Sequence, residues 1–524
     1  MSAPKMLLQN PVLPIDFPDP DIIRMGYTYY MASSSLHFTP GVPVLRSKNL
    51  ANWENASYVC RSFGNDLNYE LAPGRTLYGW GIQAPSLRHH NGVFYLCFNA
   101  RSRQATTIFR TTNIETGPWE KSTIPGHHHD PSLLFLGDCC FLVYGQGTIY
   151  IKELLADASA VKPNGVDQIL LTTPRVNGLN CEGSHIYHIN GMFYLFLSQW
   201  PCAGNNRLLQ WCYRSPTLLG HYEGRVVLDD AMGYRNNGIA RGGIVDTPAG
   251  DWFALFTQDR EAVGHCPVLV PLYWQDGWPV LGEGGHVPAQ LELPCWPQKT
   301  TPLVASDDFD YNTNRLGPMW QWNHNPDPQR WSVTQRRGHL RLINGEVVHE
   351  LSLARNVLTQ KTVAPHCTFE TRLDSAGMQP GDVAGLAAFQ SQYAFIGLAV
   401  DKRGARQVVA KTRSKAGGSS EMREAYRRET IHLRIDYDFS AYADSARFFF
   451  SVDGRSWKRL GEIFHMRCTN DHFAGYRTGL FSYATQTEGG HADFDYLRIR
   501  YGQEQANTVT IPQDRLWFAS SRAR

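Results

Sequence analysis

Short stretches of aromatic and β-branched residues alternate with polar turns throughout the first half of the chain. In the first unit, Ile22–Arg24 and Tyr27–Met31 flank Gly26, a pattern that predicts two antiparallel strands joined by a tight turn. The same arrangement returns around Gly92, Gly137, Gly191 and Gly250. A spacing of about 45 to 65 residues is typical of repeat architectures, and blades of four strands would fill it. The pattern therefore predicts an all-β fold built on a five-bladed β-propeller.

Three of these units open with an acidic residue, seven to nine positions before the glycine: Asp19, Asp130 and Glu182. Pro18 and Pro20 keep Asp19 just ahead of its strand rather than inside it. Equivalent positions of propeller blades share one radius and height, so the three carboxylates are expected to meet near the axis. Considered one at a time, each acid also has a purely structural explanation: Asp19 as a turn former, Asp130 as a strand-end cap and Glu182 as a surface residue.

The pattern changes after a proline-containing stretch from Leu291 to Pro302. Beyond it, many short strands separated by polar turns show no repeat, which predicts an antiparallel β-sandwich of about 200 residues. The expected organisation is a propeller over residues 1–298, a β-sandwich over 299–505 and a C-terminal tail over 506–524. Within this tail, Leu516–Phe518 is apolar enough to dock back on the body.

The composition of the chain argues against several classes of function. The net charge is only +2, so the chain offers no basic surface to nucleic acid or to anionic lipid. Residues 1–10 lack the apolar core and cleavage site of a signal peptide, and no apolar run reaches the length of a membrane span. The eleven cysteines include no Cys-x-x-Cys pair, which is typical of reduced cysteines, so a cytoplasmic location is expected.

Converging carboxylates suit the cleavage of a glycosidic bond. One acid protonates the leaving oxygen and one base activates water. A third carboxylate nearby keeps the acid protonated, because like charges raise its pKa.

Several segments resemble a known family. The segments Asn10–Leu13, Phe17–Arg24, Ser47–Trp53, His129–Phe135, Glu182–Tyr187 and Gly243–Pro248 are similar in order and spacing to motifs of family 43 glycoside hydrolases. The later segments Gly381–Leu386 and Gly490–Asp495 resemble the concanavalin-like sandwich of the two-domain β-xylosidase and α-L-arabinofuranosidase branch.

The resemblance implies an exo-acting, inverting hydrolase that releases terminal β-D-xylose or α-L-arabinofuranose from xylo- or arabino-oligosaccharides. It makes Asp19 the general base, Glu182 the general acid, and Asp130 the residue that orients the acid and raises its pKa. Inversion leaves room for a water molecule, so the carboxyl groups of Asp19 and Glu182 are expected to lie about 6.5–9.5 Å apart.

Two positions depart from the family pattern. Arg241 stands where members commonly have a histidine near an axial water or calcium ion, and His265 stands where many have an arginine that contacts substrate. Because arginine cannot ligate a cation, no cofactor is expected to be required, and an axial calcium ion is in doubt. In an extended chain His127, His128 and His129 alternate faces, which argues against zinc and leaves His129 as a pocket-wall residue.

The remaining candidates for the sugar-binding pocket lie in loops beside the acidic openings. Each of them is equally a packing residue: His37, Phe38, Trp80, Gln83 and Trp200, with Arg241 and His265 from the fifth unit. The second functional reading is a carbohydrate-binding propeller without catalysis. The preferred pentose, a homo-oligomeric state and the share of the sandwich in the pocket stay open.

Overall fold

The computed structural model describes residues 5–510, except 65, 101–103, 203, 205, 295–297, 415–416, 470 and 503–507. Its first part consists of five antiparallel sheets of four strands each, which confirms the five-bladed propeller. Blade 1 contains Asp21–Met25, Thr28–Ala32, Gly41–Ser47 and Glu54–Cys60, and blade 2 contains Ile82–His90, Val93–Ala100, Ala105–Thr111 and Glu120–Pro125. Blade 3 contains Ser132–Leu136, Cys139–Gln146, Thr148–Leu154 and Asp167–Thr172. Blade 4 contains Gly178–Ile189, Met192–Pro201, Leu209–Ser215 and Glu223–Leu228, and blade 5 contains Ile239–Asp246, Trp252–Asp259, His265–Gln275 and Trp278–Leu281.

Neighbouring blades are tied together by hydrogen bonds between their innermost strands. The acceptors are Asp21 Oδ2 for the Leu87 N–H (2.7 Å), Ser86 Oγ for the Leu133 N–H (3.3 Å) and Ser132 Oγ for the Ile186 N–H (3.3 Å). Blade 5 returns to blade 1 through the Gly243 N–H, which donates to the Pro20 carbonyl at 3.0 Å. These bonds hold the innermost strands in register around the axis.

Arg88 fills the axis of the propeller. Its Nη1 pairs with Asp21 Oδ2 at 2.5 Å, its Nε donates to the Leu133 carbonyl at 3.0 Å, and its guanidinium lies 5.0 Å from the centre of the Tyr187 ring. Because one side chain contacts blades 1, 3 and 4 from blade 2, it occupies the space where they converge. Asp21 is fully buried. Burying a charge is costly, and pairing and hydrogen bonding with Arg88 offset that cost.

The N-terminal strand closes the propeller onto its last segment. Lys5–Gln9 pairs with Gln290–Pro294 on one side and, through Lys5–Leu7, with Thr508–Thr510 on the other. Part of the segment expected as a tail is therefore a strand, whereas Leu516–Phe518 lies outside the described residues. No helix in the described part of the chain is long and apolar enough to cross a membrane. The described helices are three short 3-10 turns: Glu261–Val263, Leu351–Leu353 and Ser440–Tyr442.

The second part is a sandwich of two antiparallel sheets, as expected from the sequence. In spatial order, one sheet contains Ser419–Tyr426, Arg406–Arg413, Tyr393–Val400, Asp382–Phe389, Arg477–Ala484, Leu358–Lys361, Gln321–Asn323 and Phe38–Thr39. The other contains Trp331–Ser332, Leu340–Ile343, His491–Tyr501, His366–Asp374, Thr430–Asp438, Ser445–Ser451 and Lys458–Arg459, with Phe464–His465 beside Ser445–Ser451. Alternating buried residues on strands such as Thr430–Asp438 face the core between the sheets.

The propeller contributes the edge strand of the first sandwich sheet. Phe38 and Thr39, from a loop of blade 1, pair with Asn323 and Trp322. Beside them, His37 packs against the rings of Tyr78, His324 and His472 at centroid distances of 4.8 to 5.4 Å. His37 and Phe38 are therefore buried in the interface between the domains, and the prediction that they line a sugar pocket is wrong. Ladder pairing and ring packing with residues of the sandwich account for this burial.

Candidate active site

A cavity of about 420 Å³ opens where the innermost strands of the blades begin. It is lined by most of the residues that sequence reasoning singled out: Asp19, Gln83, His129, Asp130, Glu182, Trp200, Arg241 and His265. Trp80 does not line it, although its neighbour Gly79 does, and its side chain is half exposed beside the rim. The three acidic residues thus meet in one cavity, as their equivalent positions in three blades predict.

An unusual backbone conformation aims the polar residues into this cavity. Asp19, Ala84, Asp130 and Arg241 all have left-handed φ angles, between 44° and 63°. Asp19 and Asp130 lie two positions before the innermost strand of their blades, and Ala84 and Arg241 are each the third residue of theirs. In blade 4 the left-handed residue is Gly183, one position after Glu182, and the strand register shifts on both sides of Glu182. Left-handed conformations cost energy for residues other than glycine and cluster at functional sites. Their recurrence at equivalent positions is a property of this fold that the sequence pattern does not reveal.

Glu182 is the most heavily bonded carboxylate of the site. Arg241 Nη2 donates to its Oε1 at 2.5 Å, and Gln146 Nε2 donates to its Oε2 at 2.6 Å. His129 Nε2 lies 3.0 Å from the same Oε2 and 3.5 Å from Asp130 Oδ2, so this imidazole faces both acids. Gln146 was missed by sequence reasoning because it simply ends a hydrophobic strand of blade 3.

The acids differ in their affinity for a proton. Burial raises the pKa of Asp130 to about 6, with the negative charges of Glu182 and Asp19 adding to the effect. Burial also acts to raise the pKa of Glu182, but the Arg241 charge and the contacts with His129 and Gln146 outweigh it. The pKa of Glu182 is therefore lower than usual and that of Asp130 higher, which is the reverse of the order that the family resemblance implies.

Asp19 is held from the side of blade 1. The Ser34 hydroxyl donates to Asp19 Oδ2 at 2.7 Å and accepts a hydrogen bond from the Ala84 N–H at 2.9 Å. Three residues before Asp19, the Asp16 carbonyl accepts a hydrogen bond from the buried Lys361 Nζ of the sandwich. The contacts with Ser34 and with Lys361 thus restrict the position of the Asp19 carboxylate.

The sandwich forms part of one pocket wall. Phe473 lines the cavity, and its ring lies 4.7 Å from that of His265. Asp16 Oδ1 accepts a hydrogen bond from the His265 N–H at 2.9 Å and lies 3.8 Å from His265 Nδ1, which raises the pKa of the imidazole against the opposing effect of burial. Sequence reasoning had no signal for Phe473, because only the docking of the two domains brings it to the propeller mouth.

The charges around Glu182 do not suit a bound metal ion. His129, Asp130 and Glu182 offer atoms within 4.8 Å of one another. Both oxygens of Glu182, however, already accept short hydrogen bonds, one of them from a guanidinium. Of the adjacent histidines, His127 is exposed and His128 is buried against Tyr144, so the three imidazoles do not converge.

Comparison with known proteins finds a matching family model for each of the two domains. Residues 8–279 match the model of glycosyl hydrolases family 43, and residues 306–500 match the beta xylosidase C-terminal concanavalin A-like domain. A beta-xylosidase of Formosa agariphila is 27% identical over 95% of this chain and 91% of its own length. A non-reducing end alpha-L-arabinofuranosidase of Bacteroides ovatus is 24% identical over 95% of this chain and 96% of its own length.

Similar solved structures agree with these family matches. A bifunctional GH43-CE protein of Bacteroides eggerthii superposes with a TM-score of 0.90 at 38% identity; the match covers 97% of this chain and 64% of that protein. A GH43 enzyme engineered for endo-xylanase and exo-arabinofuranosidase activity matches with a TM-score of 0.84 at 27% identity, over 95% of this chain and all of that one. The five blades, the acid-lined cavity and the two family matches together show that the chain belongs to glycosyl hydrolase family 43.

Proposed function

We propose that the protein is an exo-acting, inverting glycosidase that releases terminal β-D-xylose or α-L-arabinofuranose from short xylo- or arabino-oligosaccharides. The observation that supports this most directly is the meeting of Asp19, Asp130 and Glu182 in one cavity of about 420 Å³. The names of the relatives, beta-xylosidase and alpha-L-arabinofuranosidase, support the two pentoses.

In this proposal Asp19 removes a proton from a water molecule that attacks the anomeric carbon. Glu182 donates its proton to the glycosidic oxygen as that bond breaks, and Asp130 keeps the acid in place and favours its protonated form. Attack from the face opposite the leaving group inverts the configuration, for which we expect the Asp19 and Glu182 carboxyl groups to lie about 6.5–9.5 Å apart. The sugar has room only at the mouth, because Arg88 fills the axis and Phe473 covers one side.

The test is release of p-nitrophenol from the β-D-xylopyranoside and from the α-L-arabinofuranoside, with the first-formed anomer of the sugar read by NMR. Turnover of at least one compound with inverted configuration is expected, and the ratio of the two rates gives the preferred pentose. Retained configuration would contradict the mechanism. Sugar binding without turnover would instead support the non-catalytic carbohydrate-binding propeller.

Divalent cations are expected to be unnecessary, because Arg241 already supplies a positive charge at Glu182. Dialysis against EDTA should change the hydrolytic rate by less than about twofold, and adding calcium or magnesium should not raise it. The comparison is made on the wild type and on Arg241→His, which restores the residue type usual in the family. A wild type that loses activity with EDTA and regains it with calcium would contradict this expectation.

Removal of the Phe473 ring should weaken substrate binding more than turnover. Burying an aromatic ring against a sugar is worth about 1.5–3 kcal/mol, so Phe473→Ala should raise KM about tenfold or more with a smaller change in kcat. Phe449→Ala, a partly buried phenylalanine of the sandwich outside the cavity, is the matched control. Equal kinetics for the two variants would show that the sandwich takes no part in binding.

A further inference from the structure

A short charged contact in the cavity ties the expected acid to an arginine. Arg241 Nη2 lies 2.5 Å from Glu182 Oε1, Arg241 Nε donates to Ser198 Oγ at 3.2 Å, and the Arg241 N–H donates to Gln210 Oε1 at 3.0 Å. The left-handed backbone of Arg241 directs its side chain toward the acids. Because Gln146 donates to the other oxygen, both oxygens of the Glu182 carboxylate accept a hydrogen bond.

This arrangement conflicts with the role of a general acid. Protonation of either oxygen would weaken the hydrogen bond that this oxygen now accepts from Arg241 or Gln146. A charge-assisted contact to guanidinium favours the ionised form strongly in a buried site. The contacts of Glu182 therefore favour the ionised form, which cannot protonate a leaving group, in keeping with the lowered pKa of this carboxyl group.

We propose that Arg241 is a positioning residue that holds Glu182 ionised in the free enzyme and releases it when a hydroxyl group of the bound pentose takes its place, so that sugar binding and protonation of the acid are coupled. The inference rests on the proposed function and extends it. The Arg241 side chain lines the cavity and is 18% exposed, so a sugar hydroxyl can reach the guanidinium.

The proton balance follows directly. Glu182 gains one proton from solvent through the open mouth when Arg241 turns to the sugar, and this proton goes to the glycosidic oxygen as the bond breaks. Asp19 takes one proton from the attacking water, and release of that proton to solvent resets the site. A ligand without a hydroxyl group in reach of Arg241 would leave Glu182 ionised, so the coupling would also contribute to specificity.

The same cavity offers a comparison residue. Arg207 also lines it but pairs with Asp229 at 2.5 Å rather than with Glu182. Replacing Arg207 changes the charge of the cavity by the same amount as replacing Arg241, while the Glu182 contact stays intact. A general electrostatic effect would appear in both variants, and the proposed coupling in only one.

The experiment measures proton uptake on binding of D-xylose and of L-arabinose, by isothermal titration near pH 7 in buffers of different ionisation enthalpy. The wild type should take up as much as one proton per bound sugar, Glu182→Gln none, and Arg241→Met less than half of the wild-type value. Arg207→Met should keep the wild-type uptake. Arg241→Gln is a second variant should the methionine variant fold poorly. Wild-type uptake in the Arg241 variants, or none in the wild type, would overturn the inference.

A second measurement needs no bound sugar. Arg241→Met and Glu182→Gln should each lower Tm, and the double variant should melt no lower than the less stable single variant, because each change removes the same contact. Additive losses would overturn the inference even if neither pentose binds. Failure of the proposed function shows separately, as absence of hydrolysis and of pentose binding. In an active enzyme, Arg241→Met should move the alkaline limb of kcat/KM to higher pH and leave that of kcat in place.

Discussion

Glu182→Gln is expected to slow hydrolysis of an unactivated pentose disaccharide by about 10²–10⁴-fold, the usual contribution of a general acid. The amide keeps the size of the side chain but has no acidic proton for the leaving oxygen. p-Nitrophenolate leaves without full protonation, so the p-nitrophenyl glycoside should be affected far less by the same change. The ratio of the two rates, measured in wild type and variant, reports the acid role itself rather than a general loss of structure.

Asp19→Asn separates the base from the acid. Water must be activated whatever the leaving group, so this variant should lose about 10²–10⁴-fold on the disaccharide and on the p-nitrophenyl glycoside alike. Glu115→Gln is the matched control, a partly exposed glutamate that pairs with Arg46 on the outer part of the propeller. If Glu182→Gln lost activity equally on both substrates, or Asp19→Asn spared one of them, the assigned roles would be wrong.

The parts of this protein that the sequence predicts are those encoded by local pattern. Strand–glycine–strand units reveal the blades, and Asp19, Asp130 and Glu182 are found because they open equivalent units. The neighbours that set their chemistry come from other units. Gln146 looks like any strand end, and neither this residue nor the Arg241 contact changes the hydrophobic pattern of its own strand.

Contacts between the domains are invisible to such reasoning for a physical reason. Phe38–Thr39 follows a strand of blade 1 but pairs with residues of the sandwich, and Phe473 reaches the cavity from the sandwich. In each case the partner lies hundreds of positions away, so no local periodicity records the pairing. His37 and Phe38 were expected at the sugar and instead stabilise the docking of the two domains.

Acidification is expected to destabilise this interface strongly. His37, His324 and His472 are buried beside one another; burial lowers the pKa of His472 to about 3 and those of the other two well below the usual value. Unfolded histidines bind protons below about pH 6.5, so stability is intact above that pH and falls as pH decreases. If the unfolded chain binds three more protons than the folded one, the free energy of unfolding falls by about 4 kcal/mol per pH unit. The loss reaches about 6 kcal/mol at pH 5, which is comparable with the whole stability of many domains. Urea unfolding between pH 5 and 8 measures the slope.

His37→Phe tests whether this cluster is the cause. Both ring nitrogens of His37 lack a hydrogen-bond partner among the described residues, so phenylalanine preserves the ring contacts and removes one titrating group. The slope below pH 6.5 should fall by about one third, with stability near pH 8 unchanged or higher. His221→Phe, at an exposed histidine of the propeller, should leave the slope as it is. The cluster would be excluded as the cause if stability did not fall between pH 6.5 and 5, or if His37→Phe kept the full slope, and the acid sensitivity would then belong to the carboxylates.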